Sequence, residues 1–175
     1  MRKIKLYIAI SLDGKISKPN VDVGWLDVVP NPDKNDYGYG EFFESIDTTL
    51  MGRKTFKQVE SFEGPFPYQG LKNFVFTKHP EEHTSEEVEF VSGDIVSFVN
   101  ELKSNPGKDI WLIGGGQINA LLLNHQLINE MQIFVMPVVL GAGIPLFHSL
   151  ASEMPLNLVE TKPYSSGVVL LKYVS

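Results

Sequence analysis

The chain of 175 residues contains no cysteine, which removes disulfides, thiolate nucleophiles and cysteine-based zinc sites. No run approaches the roughly 20 apolar residues needed to cross a bilayer. The opening Met1-Arg2-Lys3-Ile4-Lys5 reads as a charged strand and not as a signal peptide. Positive charge is in deficit: the net charge of −6 opposes a nucleic-acid partner, which needs a basic face to displace counterions. These absences lead us to expect a cytoplasmic protein with neither a membrane nor a nucleic-acid partner. His79, His83, His125 and His148 stand at no metal-ligand spacing, so no metal is expected. The Gly-x-Gly-x-x-Gly fingerprint of the dinucleotide-binding fold is also missing. Arginine occurs twice, as Arg2 and Arg53.

What is present gathers around that second arginine. Met51-Gly52-Arg53-Lys54-Thr55-Phe56 follows the β-prone run Thr48-Thr49-Leu50, so a strand ends in glycine and two cations open a helix. Cations are disfavoured at a helix N-terminus, where they meet the positive end of the dipole. An anionic ligand explains them better, because free N–H groups and a guanidinium fork both suit one. Ile110-Trp111-Leu112-Ile113-Gly114-Gly115-Gly116 repeats the layout of strand, glycine turn and helix. One or two glycines satisfy a tight turn, whereas three let backbone lie flat against a ligand. A third strand end, Phe74-Val75-Phe76, leads into Thr77-Lys78. In an α/β sheet the carboxyl ends of strands gather on one edge, where ligands bind.

Hydrophobic runs alternate with helical patterns, which predicts a single α/β domain over residues 1–175. Strands are predicted at residues 5–10 (restarting at 15–17), 48–51, 73–77, 88–91, 110–113 and 132–140. Helices are predicted at 36–46, 55–61 and 117–123, with a fourth capped by Asp94 and running to 103. Residues 158–162 and 168–174 flank Pro163-Tyr164-Ser165-Ser166-Gly167, a hairpin signal. The sheet is therefore expected to be parallel in its centre with an antiparallel C-terminal hairpin.

Ile8-Ala9-Ile10-Ser11-Leu12-Asp13-Gly14-Lys15-Ile16, Met51-Gly52-Arg53-Lys54-Thr55-Phe56 and Ile113-Gly114-Gly115-Gly116 resemble, in order and spacing, the dihydrofolate reductase fold. Phe43-x-x-Ile46-Asp47-Thr48 and the run from Met136-Pro137 to Leu146-Phe147 resemble one branch of it, the reductase domain of bifunctional riboflavin-biosynthesis enzymes. The resemblance implies a three-layer α/β/α fold with a mixed central sheet of about eight strands, NADPH as cofactor and a homodimer. It places Arg53 at the 2′-phosphate and Gly52, Lys54 and Thr55 at the adjoining phosphates. Thr77 and Lys78 would flank the adenosine end, Ile113, Gly114, Gly115, Gly116 and Gln117 the pyrophosphate and nicotinamide, and the backbone of Ala9 and Ile16 the carboxamide. The position of the acid that grips folate falls near Tyr39, and that of its threonine partner near Val135, so folate reduction is not implied. Trp25, Tyr37, Tyr39 and Phe43 are the expected substrate-side residues, an aromatic set suited to a small pyrimidine- or pterin-like molecule. No catalytic acid is assigned. An NADPH reductase is the expected function; a non-catalytic NADPH-binding sensor is the alternative.

Overall fold

The computed structural model describes residues 1–82 and 85–175; His83 lies outside them. The chain runs β1 (Ile4–Ser11), β2 (Lys15–Ser17), α1 (Tyr39–Glu44), β3 (Ile46–Gly52), α2 (Arg53–Glu60), β4 (Lys72–Phe76) and β5 (Glu89–Val91). It continues through α3 (Ile95–Ser104), β6 (Asp109–Gly114), α4 (Gly116–Asn124), β7 (Glu130–Met136), β8 (Ile144–Pro145), β9 (Asn157–Pro163) and β10 (Val169–Val174). Eight strands form one sheet in the order β5-β4-β3-β6-β1-β7-β10-β9. Pairing is parallel from β5 to β7, while β10 runs antiparallel to both its neighbours. The mixed sheet and the C-terminal hairpin are as the sequence predicts. That parallel direction places the carboxyl ends of β1, β3, β4 and β6 on one edge.

Alternation along the central strands divides the core into two layers. Ile4, Leu6, Leu50, Ile110 and Leu112 face α3 and α4, meeting Val99, Leu102, Leu122 and Leu123. Met51, Val75 and Trp111 face the other way, against Phe42 of α1 and Phe56 and Val59 of α2. Asp94 caps α3 as expected, its carboxylate accepting from the N–H groups of Val96 (3.0 Å) and Ser97 (3.1 Å).

Two expectations need correction. The strand predicted over 132–140 ends at Met136, because Pro137 has no N–H to continue the ladder. That strand lies between β1 and β10, with Ile133, Phe134 and Met136 buried. The helix predicted over 36–46 shrinks to α1, because Tyr37 (φ 56°) and Gly38 (φ 82°) are left-handed and Ile46 already begins β3. A 3₁₀ turn at Gly24–Val28 and the two-residue strand β8 carried no periodic signal in the sequence.

Arg2 is 6% exposed and sits at the amino ends of the strands, opposite the glycine turns. Its guanidinium pairs with Asp47 and donates to Thr48 Oγ1 (2.7 Å) and to the carbonyl of Lys108. The N–H of Lys108 closes the clamp on Asp47 Oδ2 at 2.8 Å. One of the two arginines is thus a structural tie between β1, β3 and β6.

Candidate functional site

Two helices open at the carboxyl edge without any side-chain cap. Gly52 precedes α2 and Gly115 precedes α4, and neither N-cap position supplies a side-chain acceptor. Their first N–H groups therefore point outward with the positive dipole end, an arrangement that suits an anion. Arg53 and Lys54 occupy the first two positions of α2, Arg53 half-buried and Lys54 exposed. Gly52 pairs with Phe76 in β4, which sets Thr77 and the exposed Lys78 beside the start of α2. The N–H of Thr77 bonds to the carbonyl of Val91 (3.0 Å), fixing that strand end.

The glycine turn after β6 packs closely on both sides. A Cβ added at Gly115 would lie 3.4 Å from Thr55 Oγ1 and 3.7 Å from Ile16 Cδ1. One at Gly52 would lie 3.3 Å from Ile118 Cγ1 and 3.9 Å from the carbonyl oxygen of Gly114. Ile16, Gly52, Thr55, Gly114 and Gly115, spread over a hundred residues of chain, thus meet in one place. Ala9 lies two residues before the end of β1, Ile113 ends the apolar part of β6, and Gln117 is exposed on the first turn of α4.

A strap formed by residues 137–148 holds this cradle. β8 pairs with β2, which carries Ile16. The N–H of Leu146 donates to Gly14 (3.1 Å), that of His148 donates to Gly116 (3.1 Å), and Asn119 Nδ2 donates to Leu146 (3.0 Å). Asn119 is fully buried, and its Oδ1 has no protein donor. Asp13 pins the strap at its other end. Its carboxylate accepts from the N–H groups of Leu140 (3.0 Å) and Gly141 (2.9 Å) and from the Ser11 hydroxyl (2.7 Å). No spacing in the sequence indicated that Asp13, Asn119 and Pro145 would surround the glycines; the Gly141-Ala142-Gly143-Ile144-Pro145 run was the one available signal.

The N–H of Leu140, then the Ser11 hydroxyl, hold the Asp13 carboxyl down at about 2. Its folded-state value lies below its unfolded value near 4, so its contribution is fully present above about pH 4. That contribution is lost as pH falls from about 4 through about 2. Urea unfolding of the wild type and Asp13→Asn over this range is expected to show a shallower acid decline in the variant. Parallel pH curves would contradict this role.

The substrate-side residues divide. Trp25 is 2% exposed, packed among Phe134, Met136, Val168 and Leu170, and its Nε1 has no protein partner. The expectation that it lines a pocket is therefore corrected: the 3₁₀ turn directs the ring into the core. Tyr37, Tyr39 and Phe43 do gather, around a residue that was not singled out, Tyr7 of β1. The Tyr7 ring stacks on Phe42 (centroids 4.5 Å apart) and meets Phe134 (4.7 Å) and Tyr39 (6.0 Å). Tyr39 contacts Phe43 (5.6 Å) and Trp111 (5.9 Å). The Tyr7 hydroxyl donates to the carbonyl of Tyr37 (3.3 Å), and the Tyr37 hydroxyl donates to Ser166 (3.0 Å). Burial, then Tyr164 and Asp36, push the Tyr7 phenol above its ordinary range. The N–H groups of Gly38 and Gly40 hold the Asp36 carboxyl below its ordinary value. Among the described residues there is no cluster of three side chains able to hold a metal, and no helix long and apolar enough to cross a membrane.

The RibD C-terminal domain family matches residues 2–170. This chain belongs to that family. The uncharacterized protein YwjB of Bacillus subtilis (strain 168) is 40% identical over 169 residues, 97% of this chain and 96% of that one. A putative riboflavin biosynthesis protein from Shewanella sp. PV-4 superposes with a TM-score of 0.86 at 30% identity, covering 98% of both chains. Dihydrofolate reductase from Enterococcus faecalis, solved with NADP(H), superposes with a TM-score of 0.72 at 17% identity over 98% of this chain and 95% of that one. That last likeness bears on fold: the RibD-type chain has the dihydrofolate-reductase architecture, as its motifs implied.

Proposed function

We propose that this chain is an NADPH-dependent reductase that transfers hydride to a small pyrimidine- or pterin-like substrate. The observation that carries this reading is the seating of Gly115 between Thr55 and Ile16, with two uncapped helix N-termini and Arg53 on the same edge. A Cβ at position 115 would rest against Thr55 and Ile16, and bare glycine backbone beside two helix N-termini suits a flat anionic ligand, so the residues fit the cofactor. NADPH, when bound, supplies the hydride. Arg53 takes the 2′-phosphate, while the N–H groups opening α2 and α4 hold the other phosphates, with Lys54, Thr55 and Gln117 beside them. Thr77 and Lys78 flank the adenosine, and backbone at Ala9 and Ile16 orients the carboxamide. The strap over Gly116 keeps water from that end.

Neither acid nor phenol near the aromatic cluster is poised to give a proton. Asp36 is held ionised by its two N–H donors, and the Tyr7 phenol is pushed up. Solvent is therefore the proton source in this reading. The reading also carries the family expectation of a homodimer, with β9 its contact. That strand forms one edge of the sheet and exposes Leu158 and Val159.

Mixing the protein with NADPH and a panel of pterins and aminopyrimidines, and following loss of the reduced-nicotinamide absorbance, tests the reading. Oxidation dependent on one class of heterocycle is expected. NADPH binding with no turnover across the panel would favour the non-catalytic alternative.

A further inference from the structure

We propose that Asn119 is a positioning residue for the nicotinamide end of the cofactor, an inference that rests on the reductase reading above. Asn119 stands at the fourth position of α4, where asparagine is a poor helix former. It is fully buried, and its Oδ1 has no donor among the described residues. Its Nδ2 donates to the carbonyl of Leu146 (3.0 Å), which fixes the amide orientation, since the opposite one would set two acceptors against each other. Buried acceptors are nearly always paired, so one left open calls for a reason beyond packing. A leucine would fill similar space and bury no unpaired atom.

The reason lies in what the carboxamide holds together. The N–H of Asn119 donates to the carbonyl of Gly115 (3.0 Å). The carboxamide lies across Gly114, where a Cβ would stand 3.3 Å from Oδ1 and 3.5 Å from Nδ2. Gly114 also has a φ of 115°, a conformation that side chains rarely adopt, so the amide occupies ground the turn itself leaves bare. The Leu146 peptide that accepts from Nδ2 donates its own N–H to the carbonyl of Gly14 (3.1 Å), directly before β2 and Ile16. One side chain therefore ties the glycine turn, the strap and the segment carrying Ile16. Those are the groups assigned to the pyrophosphate, the nicotinamide and its carboxamide. Arg53, assigned to the 2′-phosphate, opens a different helix. Removing the Asn119 carboxamide is expected to loosen one end of the site and spare the other.

The test titrates the wild type, Asn119→Leu and Asn119→Ala calorimetrically with two probes, NADPH and 2′,5′-ADP. The second probe carries the adenosine and the 2′-phosphate but no nicotinamide. Both variants are expected to bind NADPH at least about fivefold more weakly, while 2′,5′-ADP stays within about twofold of its wild-type affinity. The urea midpoint of Asn119→Leu is expected to stay near that of the wild type, because removing the unpaired Oδ1 offsets the loss of the Nδ2 bond. Matching losses for the two probes, or a midpoint that falls together with NADPH affinity, would make Asn119 a structural amide and overturn the proposal. Unchanged NADPH affinity overturns it as well, as does failure of both variants to fold. If the wild type binds neither probe, the reductase reading itself falls and this inference falls with it.

Discussion

Gly116→Ala is expected to destabilise the chain and to abolish tight NADPH binding together. The added Cβ would stand 2.3 Å from the carbonyl oxygen of Pro145, well inside any tolerated approach. The atom struck is backbone, so no rotamer change relieves the clash. The strap must move, and with it the bond from the N–H of His148 to Gly116 and the pairing of β8 with β2, which carries Ile16. Overpacking of this kind costs about 1–3 kcal/mol, and a rigid backbone partner places this case at or above the upper end. Urea unfolding gives the stability, and fluorescence titration gives the affinity. Wild-type values in both would show that the strap is not seated on the turn as described.

Arg53→Ala has the second large effect, and a more selective one. If the guanidinium pairs with the 2′-phosphate, its removal deletes a charged hydrogen-bonded contact of about 1.5–3 kcal/mol. That corresponds to roughly 10–100-fold weaker NADPH binding. NADH lacks the 2′-phosphate, so its affinity is expected to stay as it was. Lys54→Ala, which removes an exposed point charge, is expected to cost less. A uniform loss for both cofactors would mean that Arg53 supports α2 and does not read the phosphate.

Periodicity made most of the fold legible. Alternation in the strand ending at Ser11, the buried runs of β3, β4 and β6, and the Asp94 cap all had local causes, so local reading found them. The failures have two causes, some local but masked by the hydrophobic pattern and some depending on contacts between distant segments. Pro137 ends β7 early by withholding an N–H, which a propensity argument can detect but a hydrophobic run conceals. Trp25 belongs to the expected aromatic set, and only the 3₁₀ geometry sends its ring inward. Tyr7 was hidden because β1 reads as an ordinary strand, and its central place in the aromatic cluster comes from Phe42, Tyr39 and Phe134 of other elements.

At the candidate site the glycines and cations were visible because each is an anomaly where it stands. Three consecutive glycines and two cations at a helix start both ask for a ligand. The strap was not visible, since Asp13 and Pro145 become informative only once folding brings them to Leu140 and Gly116. Arg2 shows the same limit from the other side. Nothing local to the chain start marks it as structural, and the fold uses it to tie three strands at the far edge.

The most direct measurement is a paired fluorescence titration of the wild-type chain with NADPH and NADH at moderate ionic strength. A cationic site built on Arg53 at the start of α2, beside the glycine cradle, predicts saturable binding of both with NADPH at least about tenfold tighter. Equal affinities, or binding of neither, would contradict it.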